Sequence, residues 1–77
     1  MINFPHISCE LTGQNIRKLM KANGYTVKDL QNEFGFEYPQ AIYKWLHGES
    51  LPTIDNLVIL AVLFKTTIDK IIVVEVK

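Results

Sequence analysis

Residues 26–48 read TVKDLQNEFGFEYPQAIYKWLHG, and this stretch decides the fold. Thr26 is a good N-cap, its hydroxyl able to take a backbone N–H of the next turn. Val27, Leu30 and Phe34 recur at i, i+3 and i+7, one face of a helix. Gly35 then supplies the permissive backbone that a sharp turn between two helices needs. Pro39 reads as the first residue of the next helix, where its missing N–H costs nothing. Ile42, Trp45 and Leu46 are the apolar stripe of that second helix. Two amphipathic helices joined by a tight glycine turn form a unit that packs on itself and leaves one polar face free.

Working outward, Asn23-Gly24 ends an earlier helix that Thr12 or Gly13 opens, with Ile16, Leu19 and Met20 inward and Arg17, Lys18 and Lys21 toward water. Residues 1–11 have no helical period. Ile2, Phe4, Pro5, Ile7 and Cys9 look extended, as in an edge strand where Pro5 need not donate. Past the central stretch, Gly48 stops the third helix at about His47, and Leu51-Pro52 forces an extended link. Thr53 caps a fourth helix from Ile54 to about Phe64. Thr67 caps a short fifth from Ile68 to about Ile72, and the β-branched tail from Ile71 to Val76 suits a strand. The expectation is an all-α, compact five-helix domain over 12–72, with short extended segments at 1–11 and 73–77 able to pair.

Composition bounds the function. Seventy-seven residues with 48% apolar and 21% charged side chains make one small globular domain. A lone cysteine, Cys9, builds neither an intrachain disulfide nor a multi-cysteine metal site, which favours the cytoplasm. No basic leader precedes an apolar stretch, and the longest apolar run, Leu57 to Phe64, is eight residues, against the roughly 20 that span a bilayer. Two histidines far apart in sequence and scattered carboxylates form no triad, acid–base pair or metal-ligand spacing. There is no glycine-rich phosphate loop. An enzyme, a cofactor and a small-molecule ligand are not expected.

Net charge is zero, unlike the basic balance of many nucleic-acid binders, but the charges are unevenly placed. Arg17, Lys18, Lys21 and Lys28 stand between Leu11 and Lys28 without an acid, whereas Asp29 to Glu49 holds four acids and one lysine. A local positive patch at the front of the central stretch suits phosphate.

At this point the chain resembles the Cro/Xre-like phage-repressor helix-turn-helix domains over about Asn15 to Ile72. The carriers are Ile16-Arg17-Lys18-Leu19-Met20, Gly24-Tyr25-Thr26-Val27-Lys28-Asp29-Leu30 and Phe34-Gly35-Phe36. More specific are Pro39-Gln40-Ala41-Ile42-Tyr43-Lys44-Trp45, then Gly48 and Leu51-Pro52-Thr53-Ile54-Asp55-Asn56-Leu57. Two departures stand out: the family's usual glutamine at the start of the second helix is Val27, and the stretch between Phe36 and Ile42 is one residue longer than the commonest spacing. The first removes an expected phosphate contact; the second bears on how the third helix docks.

The resemblance implies a double-stranded DNA-binding transcriptional repressor whose third helix, about 39–47, enters the major groove. At about 100° per residue, Gln40, Lys44 and His47 share the stripe opposite Ile42, Trp45 and Leu46, with Tyr43 and Ala41 at its edges. Gln40, Tyr43 and Lys44 are the expected base readers, Gln40 having the amide that matches adenine. Arg17, Thr26, Lys28, His47 and Gly48 are the expected phosphate contacts, which set register without reading sequence. On the fourth helix Ile54, Leu57, Val58, Leu60, Ala61 and Phe64 form a core face, while Ile59, Val62 and Leu63 point the other way. Either the two termini or a second subunit covers that surplus, and a homodimer suits paired half-sites. The rival function is a protein-interaction module on the same scaffold, such as an antitoxin-like partner, which the acids Glu33, Glu37 and Glu49 favour.

Overall fold

The computed structural model describes residues 4–76; Ile2, read above as extended, lies outside them. The chain order is β1 (Pro5–Ile7), α1 (Cys9–Asn23), α2 (Val27–Phe34), α3 (Gln40–Leu46), α4 (Ile54–Leu63), α5 (Ile68–Ile71) and β2 (Val74–Val76). Five helices surround one core, and the terminal strands pair antiparallel with Pro5 opposite Val76, His6 opposite Glu75 and Ile7 opposite Val74. The expected pairing of the two extended segments is therefore present.

α1 starts earlier than its periodicity suggested. Ser8, not Thr12 or Gly13, is the N-cap, its hydroxyl accepting from the Leu11 N–H at 3.1 Å. Thr12 and Gly13 lie instead within the helix, both buried. Gly13 is where α1 meets α3: a Cβ there would stand 2.2 Å from the Trp45 carbonyl oxygen. Only a residue without a side chain permits that approach. Pro39 likewise flanks α3 as its cap instead of opening it. Thr53 caps α4 as expected, through Asn56, but the Thr67 side chain makes no capping bond to α5.

The core joins every helix. Ile16 of α1, Leu30 of α2, Ile42 of α3, Leu60 of α4 and Ile71 of α5 are fully buried, with Met20, Trp45, Leu46, Leu57 and Phe64 packed around them. Burial of each such side chain contributes about 1.5–3 kcal/mol. Polar ties close the ends of the chain. The buried Thr12 hydroxyl accepts from the Val73 N–H at 2.9 Å, and the Asn15 amide donates to the carbonyls of Lys70 and Ile71, both at 2.8 Å. Thus α1 fixes the end of α5 and delivers the tail to β1.

α4 departs from the expected division of faces. Leu57, Leu60 and Phe64 are buried, but Ile54 and Val58, assigned above to the core, are exposed. Leu63, assigned to the outer face, packs against the core. The outer apolar stripe is Ile54, Val58, Ile59 and Val62, with Val62 71% exposed, so the described parts of the termini do not cover it. Periodicity could not separate these faces, because α4 is apolar on every side.

Candidate nucleic-acid interface

The candidate interface is built on α2 and α3, which are tied to each other by aromatic rings. Phe34, the last residue of α2, stacks on Phe36 with centroids 5.0 Å apart. Both meet the buried Trp45 of α3 edge-on, at 5.6 and 6.1 Å. Such pairs add about 0.5–1.5 kcal/mol each beyond the area they bury. Gly35, at φ 68°, makes the left-handed turn after α2, and its N–H and that of Phe36 return to carbonyls of α2.

With Ile42, Trp45 and Leu46 inward, α3 turns Gln40, Ala41, Tyr43 and Lys44 to solvent, together with His47 just beyond its end. The three expected base readers thus share one exposed face on a buried scaffold. Gln40 occupies the first turn, where a helix entering the major groove brings its residues against base edges. The Tyr43 and His47 rings lie 6.0 Å apart and form an aromatic strip along that face.

The expected phosphate contacts divide into two groups. Arg17 and Thr26 line one cleft of about 290 Å³ between α1 and the start of α2, with Lys21, Met20, Tyr25 and Val27. Lys28 is exposed on the first turn of α2 beside it. Thr26 is committed to a capping box: its hydroxyl accepts from the Asp29 N–H at 3.1 Å, and its own N–H donates to the Asp29 carboxylate at 2.9 Å. Both the Thr26 backbone N–H and its side chain are thus engaged by Asp29, which leaves Thr26 poorly placed to donate to a phosphate. The Thr26 backbone N–H, and then its side chain, holds the Asp29 carboxyl below the usual carboxylate range. His47 and Gly48 form the other group, at the end of α3. His47 faces Glu49 at 3.7 Å, and Gly48 lies against the backbone of Glu10. An acid beside His47 weakens its case as a phosphate ligand, and Gly48 serves the packing of this turn on α1.

Three residues gain importance that sequence reasoning did not give them. Lys21, counted in the positive patch but not among the expected phosphate contacts, shares the cleft with Arg17. Gln31 reaches beyond α2, its side-chain amide donating to the carbonyls of Phe36 and Glu37. Tyr38, on the turn before α3, is 64% exposed. The extra residue in that turn was the available signal for Tyr38. No pattern in the sequence pointed to Gln31.

Among the described residues there is no cluster of three or more His, Cys, Asp or Glu placed to hold a metal, and no helix long and apolar enough to cross a membrane. No curated protein and no solved structure matches the chain. A helix-turn-helix family model does match, over residues 16–71, which takes in α2, the glycine turn, α3 and most of the core. The chain belongs to the Cro/Xre-like helix-turn-helix family of DNA-binding regulators.

Proposed function

We propose that the protein is a sequence-specific transcriptional repressor that acts in the cytoplasm on double-stranded DNA, with α3 in the major groove. The observation that carries this reading is the division of α3. Its apolar stripe is buried against α1 and α2, and Gln40, Tyr43 and Lys44 stand free on the opposite side. Gln40 reads a base through its paired donor and acceptor, adenine being the matched partner. Lys44 takes a guanine or a phosphate, and Tyr43 a thymine methyl or a phosphate. Arg17 and Lys28, joined by Lys21, supply backbone contacts that raise affinity for any sequence. The His47–Gly48 turn marks the far end of the interface.

A two-fold homodimer serves this function, since half-sites about one DNA turn apart need two recognition helices. The stripe Ile54, Val58, Ile59 and Val62 on α4 is the surface proposed for it. These four side chains carry no charge, so two copies meet there without like-charge repulsion, and the zero net charge of the chain opposes none at long range.

The test is selection from random duplexes followed by binding across a salt series. A regulator of this kind selects a palindromic site and loses affinity linearly with the logarithm of salt concentration. Failure to enrich any site, with no salt dependence, counts against the reading.

A further inference from the structure

We infer that the turn Phe36–Pro39 is itself part of the DNA-binding face, with Tyr38 a contact of its own and Gln31 the residue that positions it; this rests on the DNA-binding reading above. The turn lies outside any helix or strand, yet its backbone is held. The Gln31 carbonyl accepts from the Phe36 N–H at 3.0 Å, and the Gln31 side-chain amide donates to the carbonyls of Phe36 and Glu37 at 3.3 and 3.1 Å. Both side-chain partners are acceptors, so the amide nitrogen is the end that faces them. One residue thus makes three hydrogen bonds to the turn. Its two ends are fixed as well: the Phe36 ring is locked between Phe34 and Trp45, and Pro39 has a restricted φ.

Tyr38 lies between these fixed points with most of its surface in water. It stands two residues before α3, next to the Pro39 cap, so when Gln40 meets base edges Tyr38 lies at the rim of the groove, where phosphates are. A tyrosine there presents a hydroxyl donor for a phosphate oxygen on a ring with few rotatable bonds, and the anchored backbone adds little ordering cost. Glu37, on the same turn, is the neighbouring charge that such a contact has to tolerate. Tyr38 therefore adds affinity without reading sequence. Gln31 acts only through the turn.

The experiment uses the whole chain and measures binding to the selected duplex and to a random one. Tyr38→Ala is expected to weaken both by the same factor, roughly threefold to tenfold, as for loss of one hydrogen bond. Tyr38→Phe gives most of that loss, because the hydroxyl makes the contact. Gln31→Glu, close in shape but without a donor, weakens binding in the unaltered chain and adds little when Tyr38 is already alanine. A merely stabilising Gln31 would cost the same in both backgrounds, which overturns its positioning role. Tyr38 lies on the surface, so its variants test the contact without risk to folding. If they bind like the unaltered chain while Gln40→Ala changes base preference, Tyr38 is no contact and the DNA reading survives. If the unaltered chain binds no duplex, both fall together.

Discussion

The backbone of Trp45 in α3 comes so near Gly13 of α1 that a Cβ on Gly13 would stand 2.2 Å from the Trp45 carbonyl oxygen. That contact sets α3 directly on α1 and gives its outer face a rigid base. Because backbone lies on both sides, neither partner has a flexible end that can yield. Gly13→Ala is expected to destabilise the fold by about 1–3 kcal/mol or more, the usual range for forcing extra volume into a packed site. Urea denaturation checks this; an unchanged midpoint means that α1 and α3 shift apart without cost.

Much of this was legible in sequence because caps and turns are local. Thr26, Gly35, Thr53 and the Leu51-Pro52 link each fix a boundary through their own backbone preferences. The start of α1 was not. Cys9, two residues after Ile7, read as part of the extended segment, which hid Ser8 as a cap. The faces of α4 were equally hidden, since Ile54, Val58 and Leu63 differ only in what lies beside them. Asn15 holding the end of α5, Gly13 meeting Trp45 and Gln31 reaching the turn are all tertiary contacts with no spacing to announce them. At the candidate site, α3's outer stripe followed from the period of a helix. That Arg17, Lys21 and Thr26 line one cleft needed the fold.

That grouping gives a measurable expectation. Lys21→Ala and Arg17→Ala should each weaken binding to all duplexes alike and lower the slope of log affinity against log salt by about 1. A change in base preference instead would mean that the cleft does not face the phosphate backbone.

The capping box makes α2 sensitive to acid. The Asp29 carboxyl is held below its ordinary range by the Thr26 backbone N–H and then its side chain. A depressed folded-state pKa gives stability that is present in full above the unfolded-state value, about 3.9, and lost as pH falls through the folded-state value. Urea midpoints of the unaltered chain and of Asp29→Ala should differ at neutral pH and converge at the acid end. A gap that stays constant down to low pH excludes the ionised capping box as its source.

The outer stripe of α4 separates an assembly role from a packing role. Val62 is 71% exposed, so Val62→Glu should leave the fold intact. Sedimentation of the unaltered chain should show a dimer, and of the variant a folded monomer with weakened operator affinity. A variant that stays dimeric places the contact elsewhere, and an unaltered chain that is monomeric on DNA removes the need for it.

The central claim, that α3 reads bases through Gln40, is tested most directly by pairing a protein change with a base change. Affinities of the unaltered chain and of Gln40→Ala are measured on the selected duplex and on duplexes substituted one base pair at a time. The unaltered chain should lose about 1–3 kcal/mol at one adenine position, and Gln40→Ala should be indifferent to the base at that same position while keeping its preferences elsewhere. Equal penalties for both proteins at every position would contradict the claim.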